Sequence, residues 1–402
     1  MFAYTGWHLA HSLVEHVGLP WADIHVQCTG EVAARTLDAF RALGCTIHAL
    51  PRFGDGRYCN KLAQWENLRG VDADLLLFLH TDMICVGDLV ASLPADAIAA
   101  KVVDLENPPL RVLDTIFERA GFADRPAMVA VDAREGRTYR GNCNGGFYSV
   151  PRQFAGQLFE AWRRHALALL ADIEPLREVG KESHVDQIAF SMAIHETSLP
   201  LTDVETNVNY PLHLAGPFHY RAVDRPLTLL HYHNSSLNVL GMLDVKRELD
   251  EQECEAVRVA NSQITKNFDT ETFWDFRYKH FLERGSGVGS RGANLAYKRE
   301  LLQASGEEAA ASVLDIGCGD LEVVHALDLH NYVGVDRSRA SLARAAERRP
   351  DWTFIEAPTA DVASAEMVLC FEVAIHQKTR WHYYDLVALL ASKTERTLIV
   401  SG

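Results

Sequence analysis

No stretch of the 402 residues approaches the roughly 18 consecutive apolar residues of a membrane helix, so no spanning segment is expected. Basic residues are in short supply: 39 Lys and Arg face 54 Asp and Glu. The resulting net charge of −15 removes an overall cationic footprint for nucleic acid. The amino terminus, MFAYTGWHLAHSLVEH, has neither a basic leader nor a small-residue cleavage site and does not read as a signal peptide. The eight cysteines form no CxxC pair, which argues against structural zinc. Several, such as Cys85 and Cys370, sit inside apolar runs and read as reduced core residues of a cytoplasmic protein. Internal repeats and low-complexity tracts are missing too. What is present is an ordinary globular composition, 48% hydrophobic and 23% charged, in a chain long enough for two sizeable cores.

The first half alternates strand-like and helix-like stretches. FAYTG leads into a helical pattern through Trp7, Ala10, Leu13, Val14 and Val17. DIHVQCTG then reads as a strand, EVAARTLDAFRALG as a helix and TIHALPRF as a strand. DADLLLFLHTDMICVGDL contains a buried strand, Leu75 to His80, that stops at Thr81 and Asp82. This rhythm predicts a mostly parallel, covered sheet. GNCNGGFYSVP reads as a glycine-rich turn entering a strand, RQFAGQLFEAWRRHALALLADI as a long amphipathic helix, and LTLLHYHN as a short strand ending in histidines. Residues 243–272 are highly charged and suit a solvent-facing connecting helix. Beyond them come five strand-like runs separated by helical or loop segments. The fold class expected is α/β in two modules, residues 1–242 and 273–402, joined by that helical linker.

In the second module VLDIGCGD breaks an apolar strand into Gly-x-Gly, where backbone must turn sharply and approach a ligand without a Cβ in the way. Glu322 occupies the position where a dinucleotide fingerprint wants its third glycine. Asp315, expected inside the turn, would repel a pyrophosphate. Asp336 closes the next strand-like run about 20 residues after Gly317, the spacing of an acid that grips ribose hydroxyls. A ligand with a ribose and a cationic, phosphate-free tail fits better than NAD. Residues 273–402 resemble the class I S-adenosylmethionine-dependent methyltransferases: LDIGCGD is similar to their first motif, GVDRS carries the acidic ribose position, and CFEVAIHQ resembles the fourth-strand motif. FWDFRYKHFLERGSGVGSRGANLAYKREL resembles the leader of a subset of them. The resemblance implies a Rossmann-like domain with S-adenosylmethionine as cofactor. Asp315, Gly317 and Gly319 would line its methionine end and Asp336 would hold its ribose. Arg277, Tyr278 and the turn from Gly287 to Ser290 would cover it, with Glu372 and His376 facing the acceptor. His376 reads either as a general base or as a surface histidine at a strand end. The chain stops at TLIVSG, read as the fifth strand. The family normally continues with a helix and an antiparallel strand pair, so an abridged copy is expected.

In the first module Asp82 lies just beyond its strand, where open α/β sheets bind ligands. A carboxylate there, with imidazoles nearby, suits manganese or magnesium, which in turn bind phosphate oxygens. His231 and His233, at period two, share one strand face and could complete the shell or form a strand-end pair without metal. Arg57 and Lys61 are available for a diphosphate. Residues 1 to about 240 resemble the GT-A-fold glycosyltransferases, which use nucleotide sugars: KLAQWENL, DADLLLFLHTDM and GDL follow their central segment, with His80 where the first Asp of an Asp-x-Asp motif stands. GNCNGGFYSV resembles the element shaping the sugar pocket, HVDQIAF the later Asp-Gln element, and LLHYHN the closing histidine segment. The resemblance implies Tyr4 and Thr5 of AYTG under the nucleotide base. His80 would be a metal ligand or the replacement of a ribose-binding acid, beside Asp82, His231 and His233 as metal ligands. Asn144, Gly145, Gly146 and Gln187 would line the sugar, the first three reading otherwise as a plain turn. Asp186 reads as a base, a hydroxyl ligand or simply a helix N-terminal acid. Together the two resemblances imply a bifunctional enzyme that transfers a sugar from a nucleotide-sugar donor to a glycan acceptor and methylates a glycan oxygen. The alternative is a methyltransferase whose front module only binds a glycan or nucleotide.

Overall fold

The computed structural model describes residues 2–30, 32–133, 135–214, 225–233, 236–357 and 362–401. Glu31 of the second expected helix, Asn234 of the closing histidine segment and Gly402 of TLIVSG lie outside the described residues. The chain divides into two units. One comprises Phe2–Asn238 and Met242–Asn267, the other Val239–Gly241 and Phe268–Gly402. Among the described residues no helix is long and apolar enough to cross a membrane.

The first unit runs α1 (Phe2–Val17), β1 (His25–Cys28), α2 (Ala34–Leu43), β2 (Thr46–Ala49), α3 (Gln64–Leu68), β3 (Leu75–Leu79), β4 (Met83–Cys85) and β5 (Ile98–Val102). It continues through α4 (Leu110–Arg119), β6 (Met128–Ala130), β7 (Arg137–Tyr139), β8 (Cys143–Pro151), α5 (Arg152–Ala171) and α6 (Glu174–Arg177). It closes with α7 (Val185–Thr197), β9 (Leu201–Asp203), β10 (Tyr210–Pro211), β11 (Leu229–His231) and α8 (Glu251–Lys266). The expected mostly parallel sheet is corrected here. The central sheet has the order β3-β8-β5-β9, and β8 is antiparallel to both neighbours. Among the described residues of this unit, parallel pairing is confined to β1 with β2, β5 with β9, and β10 with β11. A second sheet, β10-β11-β4, stands beside it in sequence. The core under β8 is aromatic: Tyr148 lies 4.9 Å from Trp162 of α5 and 4.6 Å from Phe190 of α7, ring centre to ring centre. Burying each such side chain is worth about 1.5–3 kcal/mol, and it fixes α5 and α7 against the strand that carries the glycines.

Three further expectations are revised. FAYTG is helix, not strand, because Tyr4, Trp7 and His8 fall on one buried face of α1, and that burial overrides the strand preference of Phe, Tyr and Thr. CNGGFYSVP is strand throughout, with its glycines inside β8 rather than in a turn. The charged segment after residue 243 is no solvent-facing connector. α8 is started by a reciprocal cap in which Asp250 accepts from the Glu253 backbone and Glu253 from that of Asp250, and it buries Ala256, Ala260 and Ile264 within the first unit. Its Glu253 also accepts from Tyr210 at 2.5 Å and from Arg247 at 2.9 Å.

The second unit runs α9 (Thr270–His280), α10 (Gly292–Ser305), β12 (Val313–Ile316), β13 (Tyr332–Asp336), α11 (Arg339–Arg348), β14 (Thr353–Glu356), β15 (Ala365–Phe371), α12 (Arg380–Lys393) and β16 (Thr394–Ser401). All five strands are parallel, in the order β14-β13-β12-β15-β16. Successive residues feed opposite faces. Val313, Met367 and Leu369 pack with Leu302 of α10, whereas Leu314, Val368 and Cys370 pack with Leu386 and Leu390 of α12. Both faces are covered at the central strands, while Leu398 and Val400 of the edge strand β16 are exposed; the order reverses at β12, which makes this a Rossmann-like open sheet.

Candidate functional site

In the first unit the sheet geometry answers why a buried strand should end on His-Thr-Asp. β3 pairs with β8 up to Leu79 opposite Phe147, and the next amide, His80 N, donates to Gly146 O at 2.9 Å. The chain then turns through Thr81 and Asp82 into β4, which pairs with β11. Met83 stands opposite His231, and Tyr232 N donates to Asp82 O at 3.1 Å. Asp82 therefore sits where two sheets part. Its Oδ1 is 3.9 Å from His80 Nδ1 and 3.6 Å from His231 Nε2, and its Oδ2 is 3.8 Å from His233 Nδ1. His80, Asp82 and His231 offer ligand atoms within 4.8 Å of one another. His233 stands outside that set, and β11 ends before it. Its φ of 51° turns the ring back to stack on His231 at 4.4 Å, so the two do not share a strand face.

Lys61, on a 3-10 turn at Tyr58–Ala63, knots the other side of the site. Its ammonium meets Asp186 Oδ2 at 2.6 Å and donates to Gly145 O at 2.6 Å and His80 Nε2 at 3.0 Å. Trp162 Nε1 donates to Asp186 O at 2.6 Å, which ties the first turn of α7 to the aromatic core. Asp186 Oδ1 is buried without a hydrogen-bond partner. Burial would raise the Asp82 carboxyl, but the imidazoles of His231, His80 and His233 outweigh it and hold the group well below the usual carboxylate range. Burial, then the Lys61 ammonium, pushes His80 well below its ordinary value, and burial with His233 pushes His213 to about 4. A carboxylate with two imidazoles in reach of one point is a donor set that fits a divalent cation.

The glycines of β8 are needed for close approach. A Cβ on Gly145 would lie 2.9 Å from Lys61 Nζ and 3.1 Å from Asp186 Oδ2, with Gln187 Cγ at 3.3 Å. One on Gly146 would lie 2.6 Å from His231 Cε1 and 2.7 Å from Met83 Cε. Gly146→Ala is expected to destabilise the unit by about 1–3 kcal/mol through overpacking, as urea unfolding would report. A variant as stable as the parent would show that the histidine ring yields freely.

Not every expected residue joins this cluster. Tyr4 and Thr5 are buried within α1, each 1% exposed, rather than presented to a nucleotide base. Arg57 is exposed and makes none of the cluster's contacts. Sequence reasoning missed Asn209, which bonds His231, and the buried group of Lys101, Asp104 and Asp132, in which Lys101 meets Asp104 and lies 3.0 Å from Asp132. The signal for the latter was a lone lysine in the apolar strand IAAKVVD, with an acid three residues on. Asn209 carried no such signal.

In the second unit the residues at the carboxyl ends of β12, β13 and β15 converge. Gly317 and Gly319 take φ of 81° and 56°. Asp336, at the end of β13, accepts from Gly319 N at 3.0 Å and from Ser338 N at 2.8 Å. A Cβ on Gly319 would stand 2.5 Å from Tyr278 OH, which also lies 3.4 Å from Ser286 Oγ. Ser286 in turn bonds Asp320, and neither residue was foreseen. Asp315 is corrected from the turn to the strand: it lies within β12, buried, and accepts from Tyr332 OH at 2.7 Å. Burial pushes its carboxyl up to about 7. Arg277 is a staple rather than a cover: Nε donates to Arg284 O and Gly285 O at 3.0 Å and Nη1 to Val239 O at 3.2 Å. Gly287 and Ser290 close the following 3-10 turn, Ser290 N donating to Gly287 O at 3.1 Å. Glu372, with φ of 61°, meets the buried Lys298 at 2.7 Å and accepts from Ser401 at 3.2 Å; the lysine holds its carboxyl below the usual range. His376 is half-buried beside Trp274, and burial lowers its pKa.

No known protein family matches the chain by sequence, and no curated protein does. Among solved structures it is similar to magnesium protoporphyrin IX methyltransferase from Synechocystis PCC 6803 with bound SAM, at 21% identity over 33% of this chain and 76% of that one, with a TM-score of 0.28. DesVI of Streptomyces venezuelae matches at 21% identity over 31% of this chain and 54% of its own, TM-score 0.26. A SAM-bound amino pentose methyltransferase from Micromonospora echinaspora, involved in calicheamicin biosynthesis, matches at 22% over 30% and 53%, TM-score 0.25. The chain thus spans only about half the length of the latter two. At these scores the likeness carries no argument, and the Rossmann-like character of the second unit rests on its own strand order.

Proposed function

We propose that the chain is a two-site transferase, using S-adenosylmethionine in the second unit and a nucleotide sugar in the first. The observation that carries the reading is the Asp336 carboxylate drawn onto Gly319 at the carboxyl edge of a parallel sheet. The amides of Gly319 and Ser338 place it where a ribose hydroxyl would meet it, beside a turn in which Gly317 and Gly319 both take positive φ. S-adenosylmethionine, when bound, supplies an electrophilic methyl group. Glu372, neutralised by Lys298, is a positioning group rather than a free base. His376, its pKa lowered by burial, is neutral near pH 7 and is the residue able to accept a proton from an attacking hydroxyl.

In the first unit Asp186 Oδ1, buried and unpaired, has room in its hydrogen bonding for a sugar or acceptor hydroxyl, while Lys61 faces the negative charge of a departing diphosphate. A divalent cation held at Asp82 and His231 would neutralise phosphate oxygens. The runner-up, a front unit that only binds, is favoured by one observation: Lys61 is already paired with Asp186, and Arg57 stands apart.

A thermal-shift panel tests both readings: UDP, GDP and CMP, each with and without a divalent cation, and S-adenosylhomocysteine separately. A ligand at about 100 times its dissociation constant should stabilise its unit by about 2.7 kcal/mol. One cation-dependent nucleotide shift, lost in Asp82→Ala, supports sugar transfer. A shift with S-adenosylhomocysteine alone leaves the first unit as a binding or structural module.

A further inference from the structure

A chain of hydrogen bonds fixes which nitrogen of His231 carries its proton. The Gly146 amide can only donate, so the side-chain atom of Asn144 that it meets at 3.0 Å is the carbonyl oxygen. That same oxygen, Asn144 Oδ1, accepts from Asn209 Nδ2 at 3.2 Å, and this orients the second amide in turn. Asn209 Oδ1 therefore faces His231 Nδ1, at 3.1 Å, and the imidazole must donate to it. Asp104 supports the first link, accepting from Asn144 Nδ2 at 3.3 Å. The inner end of the chain is buried, Asn209 being 0% and His231 2% exposed, while Asn144 is half-buried.

The consequence lies on the other side of the ring. With Nδ1 committed to Asn209, Nε2 is the ring nitrogen left to face Asp82 Oδ1, 3.6 Å away, and it has no hydrogen-bond partner. An unpartnered imidazole nitrogen facing a partly buried carboxylate oxygen is an arrangement that a shared cation would bridge. Two atoms bound to one ion at about 2.1 Å stand roughly 3.0–3.5 Å apart, so little movement is required. His80 differs. Lys61 donates to its Nε2, so its protonated Nδ1 faces Asp82, and it joins the donor set only when the lysine lets go.

The geometry points to Asn209 as the residue that prepares His231 as a metal ligand, and to a site selecting a late first-row divalent cation, of the cobalt or zinc class, over magnesium. Magnesium favours oxygen donors and keeps several waters, whereas imidazole suits the later ions, with manganese the weakest of the transition series. This departs from the manganese or magnesium expected from sequence. It rests on the first-unit reading only in sharing its site, because it requires neither nucleotide nor sugar.

The test is a Co2+ titration of the full chain, followed by its visible ligand-field absorption, with Zn2+ and Mg2+ as competitors. One Co2+ per chain is expected, displaced by near-equimolar Zn2+ and retained against about a hundredfold excess of Mg2+. Asn209→Leu, which removes the acceptor for Nδ1–H, should weaken Co2+ binding about 10–100-fold, while Asn209→Asp, which keeps an acceptor there, should restore it. The rescue separates positioning from mere packing, and circular dichroism establishes that each variant is folded. Equal displacement by Mg2+, an Asn209→Leu variant that binds like the parent, or a folded parent that takes no Co2+ would each overturn the inference. A nucleotide shift alongside failed Co2+ binding would sink this proposal alone, and a Co2+ site with no nucleotide shift would sink sugar transfer alone.

Discussion

Asp336→Ala is expected to remove the thermal shift that S-adenosylhomocysteine gives the second unit, with affinity falling at least about 100-fold. The carboxylate has two tasks. It accepts from the amides of Gly319 and Ser338, so it shapes the glycine turn from the adjacent strand, and it is the proposed acceptor for the ribose hydroxyls. A hydrogen bond to a charged group is worth about 1.5–3 kcal/mol, and losing two reaches the stated drop. Asp336→Asn keeps an acceptor without the charge and should fall between the two. Calorimetric titration gives the affinities directly. Binding unchanged in Asp336→Ala would mean that the cofactor reading of this edge is wrong.

The second large effect concerns Asp315. Its carboxyl lies inside β12 with Tyr332 as its hydrogen-bond donor. Burial raises it from 3.8 to about 7; the Tyr332 bond opposes the rise and the nearby Asp336 charge adds to it. The fold therefore holds a proton that the unfolded chain has already released. The stability this brings is complete below about pH 4 and is lost as pH rises through about 7. The span corresponds to roughly 4 kcal/mol. Asp315→Asn should flatten that slope and leave the second unit several degrees more heat-stable than the parent at about pH 8. Calorimetry across pH decides it: an unchanged slope in the variant would place the titrating group elsewhere.

Much of the architecture was legible because alternating or periodic apolar residues mark one packed face even where burial is partial, as in β3 and α2. β1, α2, β2, β3 and α5 fall within the stretches that the pattern marked, as do four strands of the second sheet, whereas β16 starts at Thr394, before TLIVSG. The failures share a cause: a tertiary contact decided what local preference did not. FAYTG contains strand-forming residues yet folds as helix, because Tyr4 and Trp7 bury on the same face. CNGG has turn composition, but its glycines are there so that β8 can pass Lys61, Met83 and His231. α8 looks like a polar connector because only one narrow stripe of it is apolar. At the sites, residues at strand ends were readable: Asp82, His231 and Asp336 each follow or close an apolar run. Asn209, Ser286 and Lys298 were not, since each acts through a partner far away in sequence.

The path of the chain has a practical consequence for taking the molecule apart. It leaves the first unit for three residues, Val239–Gly241, returns to lay down α8, and only then departs at Phe268. A fragment ending near residue 242 would strip Glu253 from Tyr210, and one beginning at Phe268 would leave the buried Arg277 without the Val239 carbonyl. No single cut yields two intact halves. Whichever activities the units carry, they are bound to one polypeptide in fixed one-to-one proportion by the order of residues rather than by a linker.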